Sequence, residues 1–112
     1  MNVNEIWNEA VEAGKAAAAA HDTKLGAEYG RGFDCGFAWV VTKPARGALV
    51  KYLKSQNIGS TRDYVGGGYQ IWYSALHSVP TQSVSTHEAA AAAAVDVLVK
   101  HGISASWSSR LD

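Results

Sequence analysis

Four histidines, one cysteine and a triple glycine are the residues of this chain whose types could carry chemistry. His21, His77, His87 and His101 show no metal-ligand spacing, and Cys35 alone cannot build a thiolate zinc site. His87-Glu88 opens like a zinc-protease helix, but Ala91 stands where the second histidine is required. His21 and His101 are expected at helix C-termini, where partial negative charge favours an imidazolium, and His87 at the border of its helix. Gly66-Gly67-Gly68 near Arg62 has the composition of a phosphate cradle. Such a loop must lead from a strand into a helix, so that N–H groups and helix dipole converge on the anion. Here an extended run follows, and a hairpin turn is the reading. The sequence therefore predicts no catalytic residue, no metal and no cofactor.

Charge and aromatic residues leave more room for binding. The formal net charge is zero, so no global field draws the chain to nucleic acid. The distribution is uneven, however. Glu5, Glu9 and Glu12 crowd the start, with Lys15 the counter-charge, whereas Lys43, Arg46, Lys51, Lys54 and Arg62 fall in a stretch without a carboxylate. An ordinary solvated helix face accounts for such a run, and a recognition surface is the sharper alternative. Tyr64, Tyr69, Trp72 and Tyr73 lie close together on proposed strands. Aromatic packing against alanine-rich helices explains them, because small helix faces need large strand side chains. A base-stacking platform is the alternative, although residues 68–73 lack the basic residue and aromatic spacing of RNA-recognition domains.

The elements that must position these groups follow from periodicity. Asn2 three residues before Glu5 resembles a capping box. Ile6, Trp7, Ala10, Val11, Gly14, Ala17, Ala18 and His21 then recur at helical spacing, predicting a helix over residues 1–22. Gly14 on its buried face implies a close approach by another element. Residues 33–41 form the strongest strand, apolar on both faces and so expected to be central and covered on both sides. A second helix is expected from Pro44, with Ala45, Ala48, Leu49, Tyr52 and Leu53 inward and Lys43, Lys51 and Lys54 outward. Residues 61–65 read as a short strand and 69–76 as its returning partner. Ser85 and Glu88 suggest a capping box for a helix running to His101, stopped by Gly102, with Asp96 and Lys100 paired on its outer face. Residues 103–109 alternate as a half-exposed strand.

That order predicts an α+β fold. An N-terminal helix precedes a ferredoxin-like β-α-β-β-α-β unit over residues 33–109, with an antiparallel sheet. One hundred and twelve residues fit a single domain. With 47% hydrophobic and 18% charged residues the chain reads as globular. A lone cysteine suits a reducing compartment, and neither a secretory signal nor a membrane span is recognisable. A cytoplasmic location without membrane contact is expected. Zero net charge and two apolar sheet faces suggest a homodimer.

Cys35-Gly36-Phe37-Ala38-Trp39-Val40, Pro44-Ala45-Arg46, Gly67 and Ile71-Trp72 carry a resemblance that continues through Gln82-Ser83, Glu88-Ala89, Val97-Leu98 and His101-Gly102-Ile103 to Ser109-Arg110-Leu111-Asp112. The combination resembles a group of small uncharacterised proteins encoded by tailed bacteriophages. This chain departs from them in a shorter segment after the first helix and in Ser85-Thr86-His87, where they tend to be basic. The resemblance implies an accessory gene acting in a bacterial host cytoplasm, and it supplies no activity. The leading expectation is a non-enzymatic phage or prophage protein that binds a host or phage protein. A nucleic-acid-binding module using Lys43, Arg46, Lys51, Lys54 and Arg62 with Tyr69 and Trp72 is the alternative. A third is a small enzyme or nucleotide-binding protein with its site at a dimer interface, for which Arg46, Arg110 and Asp112 are the polar residues to inspect.

Overall fold

A computed structural model describes residues 2–28, 35–61 and 68–111. The first helix, α1, spans Val3–Glu28. Asn2 Oδ1 accepts the Glu5 amide at 3.1 Å, which satisfies one of the helix's orphan donors as the sequence predicted. Ile6, Trp7, Ala10, Gly14, Ala18 and Asp22 form its buried stripe. The helix runs past His21, where an end was expected. Once nucleated by the alanine run, a helix gains a hydrogen bond per added residue and needs no apolar face to continue. The Thr23 hydroxyl joins it by donating to the Ala19 carbonyl at 3.0 Å.

Three strands follow, with a helix after the first and another after the second. They are β1 (Gly36–Thr42), α2 (Ala48–Ser55), β2 (Tyr69–Trp72), α3 (Val84–Lys100) and β3 (Ala105–Leu111), with a 3-10 turn over Tyr73–Ala75. The sheet order is β2-β1-β3, antiparallel throughout, so β1 is central and β3 lies at an edge, as the graded polarity of the strands predicted. Trp39 faces Trp72 across one ladder and Ser108 across the other. Three strands are therefore present among the described residues. Residues 62–65 of the expected second strand, and Phe33 and Asp34 of the first, lie outside them. Ser60 exchanges two backbone hydrogen bonds with Gln70 on β2, at 2.9 and 2.8 Å.

Two helix starts differ from expectation. α2 begins at Ala48 rather than near Pro44, because Gly47 at its N-cap adopts φ 110°, a conformation L side chains rarely take. Its buried residues are Leu49, Val50 and Leu53, while Ala48 is exposed. α3 is capped by Ser83, whose side chain accepts the Thr86 amide, and not by Ser85. Glu88 is consequently free to accept from Ser109 Oγ on β3, tying helix to sheet. At the other end Ile103 N–H reaches back to Leu98 O and Gly102 N–H to Val99 O, with Gly102 at φ 82°. That double bond pattern closes the helix at the predicted glycine. Lys100 pairs with Glu9 of α1 at 2.7 Å rather than with Asp96, and His101 Nε2 lies 3.1 Å from the same carboxylate.

One apolar cluster joins all three helices to β1 and β2, including Trp7, Val40, Leu53, Ile71, Leu76 and Leu98. α3 packs across β1 and β3, and α1 runs against α3 and α2. A Cβ on Gly14 would sit 2.8 Å from the Leu76 carbonyl oxygen, which is the close approach its position implied. No helix among the described residues is long and apolar enough to cross a membrane.

Candidate functional site

Strand geometry sends successive side chains to opposite faces, and burial along β1 alternates accordingly. Gly36, Ala38, Val40 and Thr42 are buried. The Gly36 position abuts Val84 of α3, so this set faces the helices. Phe37, Trp39 and Val41 therefore face away, and they are only half-buried. This corrects the expectation that both faces of the central strand are covered. The helices pack on one side, and the opposite face stays open among the described residues. Apolar side chains on both faces looked alike in sequence because a face covered by its own aromatic neighbours needs the same composition as one covered by a helix.

Register fills that open face. Gln70 and Trp72 of β2 pair with Val41 and Trp39, while Ser106, Ser108 and Arg110 of β3 pair with Val41, Trp39 and Phe37. The Trp39 and Trp72 rings lie 5.2 Å apart, and Trp72 meets Phe37 edge-on at 6.0 Å and 87°. Such tilted and T-shaped contacts match the positive edge of one ring to the negative face of another. The Arg110 guanidinium lies 5.6 Å from the centre of the Phe37 ring, a cation–π contact. Trp72 and Arg110 separate two depressions. One, of about 240 Å³, includes Trp39 and Gln70 in its lining, and the other, of about 390 Å³, includes Phe37, Tyr73 and Ser74.

Behind the face, Tyr73 stacks on the ring of His87 at 3.6 Å and 16°. His87 is fully buried, and its Nδ1 lies 2.8 Å from His77 Nε2. The Val79 amide donates to His77 Nδ1 at 3.0 Å, so that nitrogen carries no proton. His77 must then hold its proton on Nε2 and donate it to His87 Nδ1, which places the His87 proton on Nε2. Burial holds the His77 pKa below the ordinary imidazole value, against the opposing pull of the Asp22 carboxylate. The result is a neutral, tautomer-locked pair that fixes the Tyr73 ring at the margin of the open face. His87 was expected at the helix border; its place in the first turn of α3 instead turns it fully inward.

The expected site residues divide. Trp72 and Arg110 share the open face. Tyr69 does not: one position from Gln70, it points to the other side, is fully buried, and donates its hydroxyl to the Ile58 carbonyl. Lys54 lies 6.0 Å above the Tyr69 ring, so Lys54 and the open face are not joined in one surface. Lys43, Arg46 and Lys51 are exposed around the start of α2. Arg62 and Asp112 lie outside the described residues. Sequence reasoning missed Phe37 and Trp39 as surface residues, since nothing in a doubly apolar strand says which face is left bare. It also missed the histidine pair, which lies ten residues apart and meets only because the chain reverses through the turn that follows β2. Among the described residues no three His, Cys, Asp or Glu side chains cluster to hold a metal.

No family model matches this chain, and no curated protein or solved structure does, so the geometry of the open face carries the functional reading.

Proposed function

We propose that the chain is a non-enzymatic binding protein, of phage or prophage origin, that engages a host or phage protein through the open face of its sheet. One observation carries this reading: Phe37, Trp39, Trp72 and Tyr73 form a contiguous, half-exposed patch flanked by Arg110, on the face the described helices leave bare. Tryptophan, tyrosine and arginine are the residues that most often dominate protein interfaces, because they desolvate large area at small entropic cost. A nucleic-acid ligand on this face is the weaker reading. It would find stacking surfaces but, among the described residues of the three strands, one cation, whereas phosphate contacts supply most such affinity. Origin and cytoplasmic location rest on the phage resemblance alone.

The ferredoxin-like assignment belongs to the same reading. It is supported by the order and antiparallel sense of β2-β1-β3 and by the Ser60–Gln70 bridge on the free side of β2. A homodimer is supported by the outer edge of β3. Its sequence ASWSSRL carries one charged residue, Arg110, and no proline to guard the edge, and Trp107 and Leu111 are exposed on it.

The test is capture of partners from host lysate on the wild-type protein, followed by titration of the purified partner. Trp72→Ala and Arg110→Ala should each weaken that complex by roughly 30-fold, the effect of losing about 2 kcal/mol at an interface centre. A partner that binds both variants as tightly as wild type would refute the assignment of this face.

A further inference from the structure

A second cavity lies away from the aromatic face, at the end of β1. Its volume is about 370 Å³, and its walls come from the β1–α2 connection, the first turn of α2, Val3 of α1 and the α3–β3 connection. The backbone there is tied together by Lys43 N–H donating to the Ser104 carbonyl at 3.4 Å. Three features of this groove point to an anion. The first is the start of α2, whose Gly47 N-cap offers no side chain to the helix and whose first turn holds no acidic residue. The leading amides of a helix have no intrahelical partner and carry the positive end of its dipole. Ala48, Leu49 and Val50, the residues of α2 that precede its first intrahelical donor Lys51, line the groove. The second is Thr42, also in the wall. It is 3% exposed, and its Oγ1 has no hydrogen-bond partner among the described residues. A buried hydroxyl in that state gains from any acceptor that reaches it. The third is charge: Lys43 and Arg46 line the groove, and among the described residues no carboxylate does.

The remainder of the lining is apolar, with Val3, Pro44 and Ile103 prominent. An inorganic anion would leave that surface uncovered, while the volume falls at the lower end of sites for small organic ligands, about 300 to 1,000 Å³. We propose that this groove binds a small organic phosphate, its phosphate at the N-terminus of α2 between Lys43 and Arg46 and its organic part against Val3, Pro44 and Ile103. Backbone amides at a helix start receive the phosphate oxygens, and the two cations neutralise its charge. The Thr42 hydroxyl supplies a further donor. The site is independent of the partner-binding face, because no open-face aromatic lines it.

The experiment is amide chemical-shift titration of the full chain, at constant ionic strength, with adenosine monophosphate, glucose 6-phosphate, inorganic phosphate and phosphate-free adenosine. Saturable shifts centred on residues 47–50 are expected with the two organic phosphates, and none with adenosine. Whichever organic phosphate binds tighter identifies the class of its organic part. Arg46→Ala and Ala48→Asp should each weaken binding by at least about tenfold, the first by removing a charge-assisted bond and the second by placing a carboxylate at the helix start. Ala48 is exposed, and an acidic residue at a helix start stabilises the helix, so that variant folds. Thr42→Val keeps the shape and removes the hydroxyl. A merely structural threonine predicts unchanged affinity in it, and the proposal predicts weaker binding. No saturable shift with either organic phosphate, equal binding of adenosine, or full affinity in both Arg46→Ala and Ala48→Asp would overturn the proposal.

Discussion

His77 Nε2 and His87 Nδ1 meet 2.8 Å apart behind the stacked ring of Tyr73, two imidazoles sharing one proton-donating direction. The Val79 amide at one end fixes that direction. A proton added to His77 Nδ1 would face the Val79 donor, and one added to His87 Nδ1 would face the His77 donor. The geometry therefore holds both rings neutral, in agreement with the lowered pKa of His77.

Stability should fall on mild acidification. The folded-state pKa of His77 is below its ordinary value of 6.5, so on lowering the pH the unfolded chain takes up its proton first. The contribution is complete above that value and is lost as pH falls through it toward the lowered folded value. Glu9, its pKa lowered by hydrogen bonds from Lys100 and His101, loses its contribution only as pH falls below the ordinary 4.5. Urea midpoints measured from pH 8 to pH 3 should show both losses in wild type. In His77→Asn the upper loss should shrink and the lower one persist. An unchanged upper loss in that variant would assign it to another group.

Gly14→Ala sets two effects against each other. Alanine raises helix propensity by about 1 kcal/mol. Its methyl group would lie 2.8 Å from the Leu76 carbonyl oxygen and 3.3 Å from that of Ala90, and overpacking against backbone costs about 1 to 3 kcal/mol. The clash wins, and a net destabilisation of about 1 kcal/mol is expected from chemical denaturation. A stabilised variant would show that α1 can shift away from Leu76 at little cost.

Replacement of the two serines at the start of α3 separates the real cap from the apparent one. Ser83→Ala should cost about 1 kcal/mol, because the Thr86 amide loses its acceptor. Ser85→Ala leaves the Thr86 amide capped and removes the 3.0 Å contact to Ser83 Oγ, so it should cost less than Ser83→Ala. The reverse ranking in thermal or urea unfolding would move the helix start by two residues.

A dimer through β3 should appear by light scattering at micromolar concentration. Leu111 is 72% exposed on that strand, so Leu111→Lys places a guarding charge on the edge without disturbing the core. The variant should be monomeric. A monomeric wild type would remove the edge from the list of interfaces, and a dimeric variant would place the contact elsewhere.

Residue types and spacing alone determined the α+β class, the central place of β1, the edge place of β3, the Asn2 cap and the Gly102 stop. Each depends on local periodicity or on one residue's backbone preference, and both act over a few neighbours. Trp72 and Arg110 were also legible as residues of interest, although only register showed that they share a face. Tyr69, Lys54 and Trp72 were grouped in sequence and are divided in space, because adjacent strand positions alternate faces and α2 packs on the Tyr69 side. Tertiary structure decided which face of β1 the helices cover, since Ala38 with Val40 and Phe37 with Trp39 are equally apolar and only the small side chains of the first pair and Gly36 admit α3. Tertiary structure likewise brought His77 to His87 and assembled the groove around Thr42 from three separate segments. Long-range packing selects such pairings through burial and shape, and neither is written in the spacing of residues along a chain.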